Sequence, residues 1–175
     1  MIILSCIIKE VYPVIDYSVR SLCTRPYPGH PKGCPNFNKK KKCPPIAQKF
    51  ENIFDLTQPI YAIIHVFDFR SHIEKMKNRH PEWSERQLKN CYYWQSKARS
   101  KLKEGILDFL KENRNYHVTT CPEGMGINVT ETMKRIGIIL EWPPENLTYQ
   151  VAIAGIKKMN VKIIINNPEY ILNAR

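Results

Sequence analysis

The stretch Ile60-Tyr-Ala-Ile-Ile-His-Val-Phe67 carries the strongest strand signal in the chain. Only His65 interrupts its aliphatic and aromatic residues. Such residues suit a pleated surface, and a run without polar alternation needs cover on both faces. The stretch therefore predicts a central strand with helices packed on it. His65 reads as a satisfied core histidine, and Thr57-Gln-Pro59 separates the strand from what precedes it.

Working outward toward the N-terminus, Ile46, Phe50, Ile53 and Phe54 fall at helical spacing and predict a short amphipathic helix over 46–56. Residues 1–8 predict a first buried strand with Cys6 in the core, and 13–20 a possible helical turn. On the C-terminal side, 68–77 predicts a second helical region. Ser84 and Gln87 form a capping-box pattern opening one long helix to Lys111, with Cys91 buried beside its apolar stripe. Residues 113–119 predict a short strand. Asn128 caps a helix over 129–136 that Gly137 closes. Three more strands are expected at 138–142, 149–154 and 161–165, the last two as a hairpin. This order predicts one α/β domain over residues 1–175, with a mixed sheet packed by helices.

Between the first strand and the first helix lies Cys23-Thr-Arg-Pro-Tyr-Pro-Gly-His-Pro-Lys-Gly-Cys34-Pro-Asn-Phe-Asn-Lys-Lys-Lys-Lys-Cys43-Pro-Pro45. Proline fixes φ and lacks a donor, and glycine permits turns, so 23–45 reads as an ordered loop. Ten residues separate Cys23 from Cys34 and eight separate Cys34 from Cys43, too wide for a C-x2-C zinc knuckle. Cys121-Pro-Glu-Gly-Met-Gly-Ile127 is a second cysteine loop of the same character, spanning 120–127. Cys23, Cys34, Cys43 and Cys121 are thus the candidate ligands of one metal site at which the two loops meet. Four thiolates suit a [4Fe–4S] cluster or a zinc ion. Ligands arriving singly from distant loops favour the cluster, with a redox or cluster-based catalytic role. His30 and Glu123 are weak catalytic candidates; a hydrogen-bonded loop histidine and a lysine-paired carboxylate are their plainer readings.

Charged residues make up 25% of the 175-residue chain and hydrophobic residues 43%, as in a folded protein. No apolar run is long enough to span a bilayer, and the N-terminus lacks signal-peptide features, so cytoplasmic location without membrane association is expected. The net charge is +11, of which residues 1–50 supply +7 from nine Lys/Arg against two acids. Lys39, Lys40, Lys41 and Lys42 thus form either a charge partner for the thiolates or a contact for nucleic acid or another polyanion. The alternative function is a zinc-stabilised nucleic-acid-binding or scaffold module. Trp83, Tyr92, Tyr93 and Trp94, interleaved with Lys97, Arg99 and Lys101, suit base stacking or packing on the sheet, with packing favoured. His72 and His80 read as surface or helix-entry residues. Nucleotide-binding, metalloprotease and serine-hydrolase motifs are absent. Oligomeric state is left open.

The stretch from Val14 through Cys43-Pro-Pro45, with Cys121-Pro-Glu-Gly-Met-Gly-Ile-Asn-Val129, resembles small uncharacterised prokaryotic and phage proteins described as predicted metal-binding. Their pattern joins a cysteine loop ending in Cys-Pro-Pro to a later cysteine or proline loop that leads into a Gly-Ile-Asp/Asn-Val helix. The resemblance covers about residues 14 to 155. It implies metal binding by Cys23, Cys34, Cys43 and Cys121 and carries no reaction or substrate. The lysine run before Cys43 is heavier here than in that pattern.

Overall fold

The computed structural model describes residues 6–26 and 31–158. Its centre is an antiparallel sheet of four strands: β1 (Ile7–Glu10), β2 (Tyr61–Asp68), β3 (Tyr116–Thr119) and β4 (Leu147–Ile156). Their order is β1-β2-β4-β3. β2 pairs along its whole length with β4, Tyr61 opposite Ala154 and Asp68 opposite Leu147, and its first half also pairs with β1. The expected central strand is central. The sheet is expected to be mixed, but among the described residues every pairing is antiparallel.

Alternation along β2 and β4 divides the core in two. Ala62, Ile64 and Ile153 join Phe50, Phe54, Met125, Ile127 and Met133 on one face. Ile63, Ala152 and Ala154 meet Leu102 and Phe109 on the other. Those last two belong to α4 (Gln95–Glu112), the longest helix. The sheet face opposite α4 is covered by the chain around both cysteine loops, and Met125 and Ile127 of the second loop insert into that core. β1 is a short edge strand with all four residues exposed; its Lys9 and Glu10 discourage edge pairing.

Several expectations change. The helix over 46–56 shrinks to one turn, α1 (Phe50–Ile53), because Phe50 and Phe54 stack at 4.5 Å while Ile46 and Leu56 stay exposed. The second helical region is α2 (Phe69–Arg79), capped by Asp68, whose carboxylate accepts from Ser71 N at 2.9 Å. The long helix from Ser84 is broken. Its capping box is present, but the helix it opens, α3 (Glu85–Leu88), is a single turn, and Asn90 caps a separate 3-10 turn, Cys91–Tyr93. That turn leaves Cys91 exposed rather than buried. α5 (Val129–Arg135) starts at Asn128 as expected, and Gly137, at φ +79°, follows its end. No strand forms over 138–142. Ile138 and Leu140 pack on the core, but Ile139 and Trp142 are exposed, and β4 already occupies the free side of β2. β4 pairs with β2 and β3; residues 161–165 of the expected hairpin lie outside the described residues. Cys6 packs with the α4-side core, as expected. No helix among the described residues is long and apolar enough to cross a membrane.

Candidate metal centre

Cys23 sits near the end of a 3-10 turn, Tyr17–Thr24. Asp16 starts that turn, its Oδ1 accepting from Ser18 N at 3.0 Å and from Ser18 Oγ at 2.6 Å. Cys34 is tied to it directly, since Cys34 N donates to the Cys23 carbonyl at 2.8 Å. The approach depends on Gly33, at φ +80°, where a Cβ would come within 2.7 Å of the Cys23 carbonyl oxygen. From Cys34 the chain runs through successive turns, with Phe37 N bonded to Cys34 O at 3.1 Å and Cys43 N to Lys40 O at 2.9 Å. Arg20 then holds the loop's end, donating to the carbonyls of Pro45 at 3.1 Å and Ala47 at 2.9 Å. Of the expected ordered loop, residues 34–45 are a chain of turns, tied to Cys23 at one end and to Arg20 at the other.

The second loop follows β3. Cys121 N donates to Thr119 Oγ1 at 3.3 Å, and a 3-10 turn, Glu123–Met125, ends at Gly126 with φ +93°. It is stitched to the first segment, for Asp16 N donates to Gly126 O and Asn128 N to Val14 O, each at 2.8 Å. Asn128 Nδ2 also reaches Asp16 Oδ2 at 3.2 Å. Against the lysine run, a Cβ on Gly124 would meet the Lys42 carbonyl oxygen at 2.9 Å and Pro44 Cδ at 3.5 Å. Glycine lets the two backbones touch there, between Cys43 and Cys121.

The thiols of both loops therefore share one electrostatic environment. Burial pushes Cys121 up to about 11, with Cys43 and Glu123 adding to the rise and Lys42 opposing it. A side-chain contact with Cys43 adds to the rise as well. Cys23 is also pushed up, first by burial, then by Cys34, Cys43 and Glu123, against Arg20. Cys34 and Cys43 thus act on Cys23, and Cys43 acts on Cys121. Cys43 is buried, and all six cysteines of the chain are free of disulfides. Glu123 is exposed as a residue although its carboxyl stands among densely packed atoms. That packing pushes its pKa up, and the open side lets water limit the rise.

Among the described residues, no three His, Cys, Asp or Glu side chains stand together as a ligand group. Cys34 and Cys43 lie within electrostatic reach of Cys23, and Cys43 within reach of Cys121, but the four sulfurs are not gathered into a coordination shell. As a donor set they suit a thiophilic metal. At Cys23 and Cys121 the thiol is pushed up, the opposite of the depression that activates a nucleophilic cysteine. His30 lies outside the described residues. Lys39, Lys40, Lys41 and Lys42 are all exposed. His65 is buried in β2, where desolvation lowers its pKa. His72 is half-buried, with Nε2 buried and lacking a hydrogen-bond partner.

Asp16, Arg20, Gly33, Gly124 and Gly126 position the site, and none is a ligand candidate. Asp16-Tyr-Ser18 was a readable cap pattern; Arg20 gave no local signal, because its partners lie about twenty-five residues away. No family model, no curated protein and no solved structure matches the chain.

Proposed function

We propose that the chain binds a thiophilic metal through Cys23, Cys34, Cys43 and Cys121. The observation carrying this reading is the approach of the two loops between Cys43 and Cys121, where Gly124 meets the Lys42 carbonyl and Cys43 acts on the Cys121 thiol. Metal binding would release the thiol protons that burial now retains, and Lys42 and Arg20 would offset the thiolate charge. Lys42 thus serves as a local charge partner. The wide ligand spacing in the sequence supports a [4Fe–4S] cluster with a redox or catalytic role.

A zinc ion is the second reading, favoured by the side-chain contact between Cys43 and Cys121. Tetrahedral zinc with Zn–S near 2.3 Å needs sulfurs roughly 3.8 Å apart, so adjacent thiols suit it. A zinc-stabilised module binding nucleic acid through Lys39–Lys42 belongs to this second reading, supported by the exposure of all four lysines.

Anaerobic purification followed by an absorption scan and metal analysis tests both. Iron and sulfide with a visible chromophore favour the cluster; a colourless protein with stoichiometric zinc favours the ion. Single serine replacements at the four cysteines should abolish retention, and those at Cys6 and Cys91 should not. Protein that takes up neither metal, or four variants that all retain it, would overturn the reading.

A further inference from the structure

The helical segment over 69–103 carries a second surface, independent of the thiols. It holds ten Lys/Arg against three acids, so +7 of the chain's +11. Its described ion pairs engage Arg70, Lys89 and Lys101, and none involves Lys77, Arg79, Arg86, Lys97 or Arg99. These five residues are exposed. Basic residues from two helices converge: Lys97 of α4 and Lys75 of α2 both act on His72, helping desolvation to lower its pKa.

Through this basic surface runs a row of rings. His80 stacks on Trp83 at 4.0 Å with 9° between planes, Trp83 meets Tyr93 at 4.8 Å, and Tyr93 meets Tyr92 edge-on at 6.0 Å. The row ends in the open, with Tyr93 45% and Tyr92 84% exposed. The break at Asn90 produces it. Asn90 Oδ1 accepts from Tyr92 N at 3.0 Å, and the resulting 3-10 turn holds Tyr92 and Tyr93 outside. Trp94 alone turns inward, against Phe67 at 5.4 Å and Phe69 at 5.3 Å. The expectation that these aromatics pack on the interior therefore holds for Trp94 and fails for the two tyrosines.

We infer that this face binds single-stranded nucleic acid, the bases stacking on Tyr92 and Tyr93 while the unpaired cations contact the phosphates. The charge demands a polyanion, and the exposed rings demand one with free π-faces. Duplex hides its base faces, and an acidic polypeptide offers none. The three ring contacts, His80–Trp83, Trp83–Tyr93 and Tyr92–Tyr93, hold the platform in place before a ligand arrives, which limits the ordering that binding must impose.

Fluorescence anisotropy with labelled oligothymidylate and oligouridylate, at low and moderate salt, tests the inference. The protein should bind at least one single strand more tightly than a duplex of the same length, with affinity falling as salt rises. Tyr92→Ala should weaken binding roughly tenfold and Tyr92→Phe should preserve it, since the ring does the stacking. A preference that persists when oligodeoxyuridylate replaces oligothymidylate identifies the sugar. Replacing Lys39–Lys42 with alanine should leave the Tyr92 effect intact. Three results overturn the inference: no single-strand binding at low salt, binding unchanged by Tyr92→Ala, or binding lost with the Lys39–Lys42 replacement alone. Equal, Tyr92-independent binding of polyglutamate would also overturn it. Far-ultraviolet circular dichroism of Tyr92→Ala checks its folding.

Discussion

The Tyr17 ring fills the space that a side chain on Gly126 would take, for a Cβ there would come within 2.5 Å of the ring's Cδ1. Gly126 also sits at φ +93°, a conformation that residues with a Cβ rarely adopt. Its carbonyl accepts from Asp16 N, so this one position joins the two cysteine-bearing segments. Gly126→Ala should therefore destabilise the fold by about 2 kcal/mol, as for other strained backbone positions. Chemical denaturation should show a lower midpoint. Combining it with Tyr17→Ala should cost less than the sum of the two changes, because the second removes the steric part and leaves the φ strain.

Thr132 makes the opposite case, a buried polar residue whose hydroxyl is fully used. Its side chain is inaccessible, its Oγ1 accepts from Val14 N at 3.0 Å, and it donates to Asn128 O at 2.7 Å. Thr132→Val keeps the shape and adds apolar surface, yet leaves the Val14 N–H without its acceptor. The orphaned donor should win, lowering stability by about 1–3 kcal/mol. An unchanged or raised denaturation midpoint would show that Val14 finds another partner.

What the sequence made readable follows from range. Ile60–Phe67 announces a central strand because its composition is the signal, and Asn128 announces a helix start because the donor its side chain caps, Glu131 N, is three residues away. The long helix from Ser84 was misread since its apolar spacing continues through Asn90 while the backbone does not. The strand expected at 138–142 has the right composition, but Ile138 and Leu140 pack on the core and the segment joins no ladder. At the thiol site, the cysteines and their prolines named the ligand candidates. Their geometry depends on Gly33 against Cys23 and Gly124 against Lys42, which are contacts between backbones and leave no compositional trace.

Cys121 gives the site a pH signature. Its thiol rises from 9.0 to about 11 in the fold, chiefly through burial. Between those values the native state keeps a proton that the unfolded chain has released, so stability should fall as pH rises from about 9 to about 11. Cys121→Ser should flatten that part of the metal-free protein's stability–pH curve. Timed alkylation read by mass spectrometry gives a second check at neutral pH. Exposed Cys91 should be modified well before Cys121, and simultaneous labelling would contradict the burial that raises the Cys121 thiol.

Gly105 poses a choice between helix propensity and packing. It lies inside α4, where alanine is ordinarily better by about 1 kcal/mol. Here the Cys6 side chain occupies its missing side: a Cβ would approach Cys6 Cβ to 2.6 Å and its Sγ still more closely. The Cys6 thiol is also held by the Lys101 carbonyl at 3.6 Å, so it cannot withdraw without losing that contact. Gly105→Ala should therefore destabilise by about 1–3 kcal/mol, the usual cost of overpacking, and reverse the propensity gain. Cys6→Gly removes the obstruction from the other side. In that background Gly105→Ala should become stabilising, and the change of sign between the two backgrounds, measured by denaturation, separates packing from propensity. If Gly105→Ala stabilises the unaltered chain, Cys6 does not pack against α4 as described.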